Sequence, residues 1–297
     1  MSASRKVSAS AVLDGMGVHT GAPCRLRLEI GDGPGRPRFH FPGWDHPLAP
    51  EDLARLPRQA RRSTLLGSGR ETVRTPEHLL AALLFFSRHP VHVLCDAEEL
   101  PGMDGSARPF AEALSAAMGS AASLPAWEEY ACGLTWEHAW KDGFIRARPS
   151  ARFRVDYAWE QGPLRQSFRL EGAPAAWREV LPARTFIFHR HWREAVSGTG
   201  ASAGLLAGAG PDAGLLLAET AEEHAELLTR HPEWRGGPFP LLNQPAWRGG
   251  NELARHKILD LLGDLALLDL RLPKLEIEIR NGGHAVNHVL LEKITHG

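Results

Sequence analysis

The chain has only three cysteines in 297 residues. Cys24, Cys95 and Cys132 are an odd number without close spacing, which argues against a disulfide scaffold and for buried thiols in a reducing compartment. Long apolar stretches are missing as well: the longest unbroken run, Leu79 to Phe86, falls far short of a membrane span. The opening Met-Ser-Ala-Ser-Arg-Lys-Val has no apolar core of the kind a signal peptide needs. A cytoplasmic protein is therefore expected, with at most peripheral membrane contact. Nor is there an excess of one charge. With 34 Lys and Arg against 35 Asp and Glu, and the basic residues scattered, the electrostatic footprint of a nucleic-acid-binding protein is absent.

What remains is an ordinary globular composition, 43% apolar and 23% charged. A chain of this length buries about 75% of its unfolded surface as one large domain or two of usual size. Two are expected, residues 1–124 and 125–297, divided at Gly119 to Pro125, where small residues are closed by proline.

Both halves run from strands into a leucine-rich helix. Cys24, Leu26, Leu28 and Ile30 alternate with Arg25, Arg27 and Glu29, the period of a strand with one buried face. Just before it, Gly15, Gly17 and Gly21 surround His19 and Thr20. This is a tight turn that reads either as a plain hairpin loop or as a place where backbone approaches a ligand. Thr75-Pro76 then opens a helix, the threonine hydroxyl serving as cap, and Glu77-His78 leads into the apolar run. In the second half, Phe153, Val155, Tyr157 and Trp159 alternate with polar residues and turn at Gly162-Pro163 into Leu164 to Leu170, a hairpin. Ser197 to Leu217, rich in Gly, Ala and Leu, is expected to be an apolar insertion able to line a groove. Glu222, Glu223 and His224 read as a helix face in solvent, and Leu275, Ile277 and Ile279 as the buried side of a strand. An α+β fold follows, with two similar domains, each a sheet layered with helices, meeting at a shared site.

Arg255 to Asp264 carries the chemistry. On a helix, His256, Asp260 and Asp264 fall on one polar stripe over about two turns. An imidazole and a carboxylate one turn apart can grip a single cation, and zinc accepts both nitrogen and oxygen ligands. His284 and His288, also one turn apart, form a rival pair.

Taken together the motifs resemble the UDP-3-O-acyl-N-acetylglucosamine deacetylase (LpxC) family, zinc amidases of lipid A synthesis. The matching pieces come in family order: GMGVHTG at Gly15 to Gly21, TPEHL at Thr75 to Leu79, MDGS at Met103 to Ser106, ARTF at Ala183 to Phe186, RHKILDLLGD at Arg255 to Asp264, and GHAVN at Gly283 to Asn287. The resemblance implies a two-domain α+β fold with the active site between its layers. It implies Zn2+ held by His78, His256 and Asp260, with the fourth position open, and Glu77 as the general base. Thr185 becomes the oxyanion donor, His284 the cation near the leaving amine, and Asp264 the group that orients His284. Lys257, Phe186, His19 and Thr20 become substrate contacts, and Ser197 to Leu217 the wall of an acyl-chain passage.

The departures from that pattern avoid the metal. Asn281 stands where the family usually has a lysine for the nucleotide diphosphate, Leu206 to Asp212 reads LAGAGPD, and the turn after Asp156 lacks His-Pro. The implied substrate is a small molecule, an acylated nucleotide sugar. Another N-acetylated sugar or lipid, and a non-catalytic zinc-containing binding protein, are the alternatives.

Overall fold

A computed structural model of the chain describes residues 7–60, 62–119, 126–199, 206–208 and 213–296. The first sheet has four strands in the order Val7–Met16, Pro23–Gly31, Val91–Cys95, Arg38–His40, the last pair parallel. Alternation acts as expected in Pro23–Gly31, where Cys24, Leu26, Leu28 and Ile30 are buried and Arg25 and Arg27 exposed. Its neighbour Val7–Met16 has no such signature. Ala9, Ala11 and Leu13 face the buried row of Pro23–Gly31, opposite Ile30, Leu28 and Leu26, but two of the three are too small to mark an apolar face. The glycine-rich stretch joins these two strands.

The second sheet has five strands in the order Leu164–Glu171, Arg154–Gln161, Leu275–Arg280, Gly143–Pro149, Trp136–Trp140. Leu275–Arg280 runs parallel to Arg154–Gln161 and buries Leu275, Ile277 and Ile279, while Glu276 and Arg280 are exposed. The expected hairpin turning at Gly162 is present. The Trp136–Trp140 hairpin was not foreseen, although Asp142-Gly143 is a standard turn signal. Thr64–Ser68 is the middle of a small three-stranded sheet, between Arg58–Ala60 and Glu71–Arg74.

Three helices connect the two large sheets. Arg108–Met118 packs on Val7–Met16 and on the helix Glu77–Leu83, which in turn packs on Glu252–Leu265. That long helix touches His284–His296 and the two strands Arg154–Gln161 and Leu164–Glu171, so one continuous apolar core joins both sheets. A helix covered on both sides should be apolar nearly all round. Glu77–Leu83 is buried at every position, and Glu252–Leu265 at every position but Lys257.

The two helices meet at a glycine. A Cβ on Gly263 would stand 2.1 Å from the Glu77 carbonyl oxygen and 2.6 Å from its carbonyl carbon. Only a residue without a side chain lets the backbone that carries Glu77 and His78 approach the helix that carries His256 and Asp260.

One expectation about this region fails. Thr75 does not cap the Glu77–Leu83 helix: Pro76 is the cap residue, Thr75 has φ 57°, and the Thr75 hydroxyl donates to Glu99 Oε1 at 3.1 Å. With Pro76 in the cap position, Thr75 lies one residue outside it in a left-handed conformation, and its hydroxyl is turned to the buried Glu99 and not to the N–H groups of the first turn.

The division expected at Gly119 to Pro125 falls mostly on residues outside those described. Of the insertion expected at Ser197 to Leu217, Leu215–Leu217 pairs in parallel with Phe186–Phe188, while 200–205 and 209–212 lie outside the described residues. Among the described residues no helix is long and apolar enough to cross a membrane.

Candidate metal centre and active site

His78, His256 and Asp260 converge from two helices, and all three are buried. Their ligand atoms lie within 4.8 Å of one another, the only such group of His, Cys, Asp and Glu among the described residues. Asp260 Oδ1 is 3.2 Å from His256 Nε2 and 3.7 Å from His78 Nε2. The Nδ1–H of His256 donates to the Ala183 carbonyl at 3.1 Å, which leaves Nε2 unprotonated and turned to the cluster. Burial pushes the His256 imidazolium down, so the ring is held neutral, the form that ligates a metal. Burial alone would raise the Asp260 carboxyl, but the cations of Lys257 and His284 hold it well below the usual carboxylate range. Two imidazoles and one carboxylate, facing each other, form a ligand set that fits a divalent metal of the zinc kind and leaves a coordination position open.

Glu77 and His284 flank this group. Glu77 Oε1 lies 3.7 Å from His284 Nε2, and the same nitrogen is 3.8 Å from Asp260 Oδ2. Burial pushes the Glu77 carboxyl up to about 7, against the pull of His284. Burial works against the His284 cation, yet Asp264, Asp260 and Glu77 outweigh it and push this group up to about 10. Asp264, fully buried, accepts from His284 Nδ1–H at 2.8 Å and from Asn287 Nδ2 at 2.8 Å, and its carboxyl is lowered because His284 offsets the cost of burial. The expected pairing of Asp264 with His284 is therefore made. His288 stands apart from the metal group: it bonds Thr64 Oγ1 at 2.9 Å, so the rival His pair is not a chelate.

A cavity of about 530 Å³ opens over these groups. Glu77, His78, Asp260, His284 and Lys257 line it, together with Thr185 and Phe186. Lys257 Nζ donates to Asp260 Oδ2 at 2.9 Å and lies 5.2 Å from the centre of the Phe186 ring. The apolar wall is Val18, Ile187, Leu206, Leu215 and Leu216, with Trp192 and Trp234 beyond. His19 lines the cavity too, with a buried Nδ1 that has no hydrogen-bond partner. Thr20 is not among the lining residues: its N–H and hydroxyl both donate to Glu99 Oε2, at 2.7 and 2.6 Å.

Three residues that sequence reasoning passed over hold the site together. Glu99 receives His19 N–H and Thr20 from the glycine-rich turn and Thr75 from the start of the Glu-His helix, and a Cβ on Gly17 would meet it at 2.4 Å. Glu252, at the head of the long helix, forms a buried two-point pair with Arg184 at 2.8 and 3.1 Å, which fixes the ARTF segment against that helix. Thr64 joins Glu77 to Asp264. No periodicity marks such residues. A fourth group, Glu222, Glu223 and His224, does not face a metal; Glu223 Oε1 meets His189 Nδ1 at 3.1 Å, and His224 Nε2–H donates to the Leu241 carbonyl.

The motifs of MDGS and LLGD are thus packing devices as much as chemistry. Gly105 has φ 82°, and a Cβ there would stand 3.0 Å from Thr185 Cγ2 and 2.8 Å from Gly214, so the glycine lets Thr185 sit against this turn. Comparison with known proteins agrees with the arrangement. The profile described as UDP-3-O-acyl N-acetylglycosamine deacetylase matches residues 4–221 and 238–296. The UDP-3-O-acyl-N-acetylglucosamine deacetylase of Anaeromyxobacter dehalogenans is 31% identical over 297 residues, covering 98% of this chain and 86% of that protein. That of Trichormus variabilis is 31% identical, covering 86% and 85%. The bifunctional enzyme LpxC/FabZ of Chlorobaculum tepidum is 31% identical, covering 93% of this chain and 60% of its own length. With the profile matched from one end of the fold to the other, and a relative of this identity aligned over nearly the whole chain, the protein belongs to the UDP-3-O-acyl N-acetylglycosamine deacetylase family.

Proposed function

We propose that this protein is a zinc-dependent N-deacetylase that removes the acetyl group from UDP-3-O-acyl-N-acetylglucosamine in the cytoplasm, as a step of lipid A biosynthesis. The observation that carries the reading is the meeting of two buried groups of opposite role, Glu77 and His284, beside the His78, His256 and Asp260 cluster.

His78, His256 and Asp260 would hold the zinc ion, which when bound supplies Lewis acidity to the amide carbonyl and to the attacking water. Glu77, whose carboxyl titrates near neutral pH, takes the water proton as the oxygen adds to the amide carbon. The Thr185 hydroxyl donates to the carbonyl oxygen as negative charge grows there. His284, kept cationic by Asp264, stabilises that charge and gives its Nε2 proton to the leaving nitrogen, so acetate and a free amine result. The apolar wall of the cavity takes the acyl chain, with Phe186 and Lys257 over the sugar.

A second reading keeps the chemistry and changes the substrate. Asn281, which lines the cavity, spends its amide on Glu160 N–H at 2.7 Å and the Asp142 carbonyl at 2.8 Å, and so brings no charge to a diphosphate. An N-acetylated sugar or lipid without the nucleotide would fit there.

Acetate release measured by mass spectrometry, with the nucleotide sugar beside simpler N-acetyl sugars, separates the two. We expect about one zinc per chain, activity lost to a chelator, and a fall of roughly a thousandfold or more in Glu77→Ala with zinc retained. Near-normal turnover in Glu77→Ala would remove the base from Glu77. Substrate binding by zinc-loaded protein without any acetate release would leave a non-catalytic binding protein instead.

A further inference from the structure

Thr64 is the first residue of the strand Thr64–Ser68 and is completely buried. All its polar atoms are engaged. Its N–H donates to Glu77 Oε2 at 3.3 Å, and its carbonyl accepts the N–H of Thr75, two residues ahead of Glu77. Its hydroxyl lies 2.5 Å from Asp264 Oδ1 and 2.9 Å from His288 Nε2. A hydroxyl has one proton, and an ionised carboxylate can only accept. Thr64 Oγ1 therefore donates to Asp264, and His288 Nε2–H donates to Thr64. The bonds run in one direction, from His288 through Thr64 to Asp264, whose other oxygen holds the ring of His284.

We propose that Thr64 is a positioning residue for the amide hydrolysis, its hydroxyl orienting the Asp264–His284 pair while its N–H orients Glu77, with His288 fixing the direction in which the hydroxyl points. Thr64 comes from a strand that belongs to neither the Glu77–Leu83 helix nor the Glu252–Leu265 helix, so it sets the distance between groups that those helices carry separately. A misplacement of about 1 Å between such groups costs on the order of a hundredfold in rate. His288 belongs to the chain because without a donor on its far side the hydroxyl could turn from Asp264.

This inference rests on the deacetylase reading, and its test is arranged to fail separately. Thr64→Val removes the hydroxyl at nearly constant shape and keeps the N–H, and Thr64→Ser restores the hydroxyl. We expect Thr64→Val to lower kcat about tenfold or more, with KM within about twofold and zinc content unchanged, and Thr64→Ser to recover most of the loss. His288→Leu should lower kcat less, His288→Gln should spare it because the amide supplies a donor near Nε2, and His288→Leu should add little in the Thr64→Val background. Unchanged kcat in Thr64→Val, or equal losses in the valine and serine variants, overturns the proposal. If Thr64→Val does not fold, equal kcat in His288→Leu and His288→Gln overturns it. The Nδ1–H proton resonance of His284 gives a readout independent of turnover: sharp and far downfield in the unmodified protein and in Thr64→Ser, broadened by exchange in Thr64→Val. Should the unmodified protein release no acetate, the deacetylase reading fails, and that resonance alone decides whether Thr64 orders the ring; identical resonances in all three proteins sink it.

Discussion

Behind His284, Asp264 has three hydrogen-bond partners, Thr64 on one oxygen and His284 and Asn287 on the other, so that both its oxygens are occupied. Among the residues that line the cavity, His19 Nδ1 and Ser63 Oγ are buried, yet neither has a hydrogen-bond partner. The difference separates two tasks. A group that must be in place before the reaction is fixed by protein bonds, since order present in advance is not lost again on binding. A group that meets substrate keeps an open valence, and its burial without a partner is relieved when the ligand arrives.

The sharpest way to break the closed side is Asp264→Asn. The amide cannot hold His284 as a cation, so kcat should fall about a hundredfold or more, with metal content unchanged. The pH profile gives the sign. In the proposed mechanism Glu77 acts ionised and His284 protonated, so kcat/KM is expected to rise with pH through the Glu77 titration and fall through that of His284. Those groups stand near 7 and near 10, and a cation held by His78, His256 and Asp260 pulls both limbs to lower pH. Asp264→Asn should move the alkaline limb downward by at least about one unit, and the acid limb downward by less, because Asp264 also raises the Glu77 carboxyl. An alkaline limb that stays in place would mean that it belongs to another group.

Gly263→Ala tests whether the closed side depends on the approach of two helices. Alanine favours a helix by about 1 kcal/mol over glycine, but here its Cβ meets the Glu77 backbone, and overpacking of this kind costs roughly 1–3 kcal/mol. The backbone of Glu77 must retreat from His256 and Asp260. We expect lower thermal stability, weaker zinc retention and a fall in kcat of about ten- to a hundredfold. Gly250→Ala, where a Cβ would meet nothing within 4 Å, should be silent in all three measurements. Equal behaviour of the two variants would show that the helix contact yields easily.

What was legible in the sequence follows the same division. His256, Asp260 and Asp264 share one face of one helix, and helical spacing brings them together without knowledge of the fold. His78 and Glu77 needed the order of motifs along the chain, since nothing local ties them to a helix about 180 residues away. Thr64 and Glu99 were beyond reach: the contacts that give them a place in the site include Asp264, 200 residues from Thr64, and His19 and Thr20, 80 and 79 residues from Glu99, and a buried threonine inside Arg62-Ser63-Thr64-Leu65-Leu66 has no local signature. Strands were found where large apolar residues alternate, as in Pro23–Gly31, and missed where the inward residues are small, as in Val7–Met16. Thr75 shows the reverse failure: the Thr-Pro pair does open a helix, but the cap position falls on Pro76, and the threonine hydroxyl is turned to Glu99.

The open side is tested most gently at Asn281. It has φ 52°, a conformation asparagine tolerates better than lysine, and its amide closes two backbone bonds. Asn281→Lys would give up those bonds, at about 1 kcal/mol of stability, and extend a cation toward the end of the cavity formed by Gln161 and Gly282. If a nucleotide diphosphate lies there, KM for the nucleotide sugar should fall about three- to tenfold, kcat should hold, and N-acetyl sugars without phosphate should respond to neither change. A KM that drops for the nucleotide sugar alone ties that end of the cavity to the diphosphate. A KM that stays put for every substrate separates the nucleotide from Asn281 and strengthens the reading in which the substrate has none.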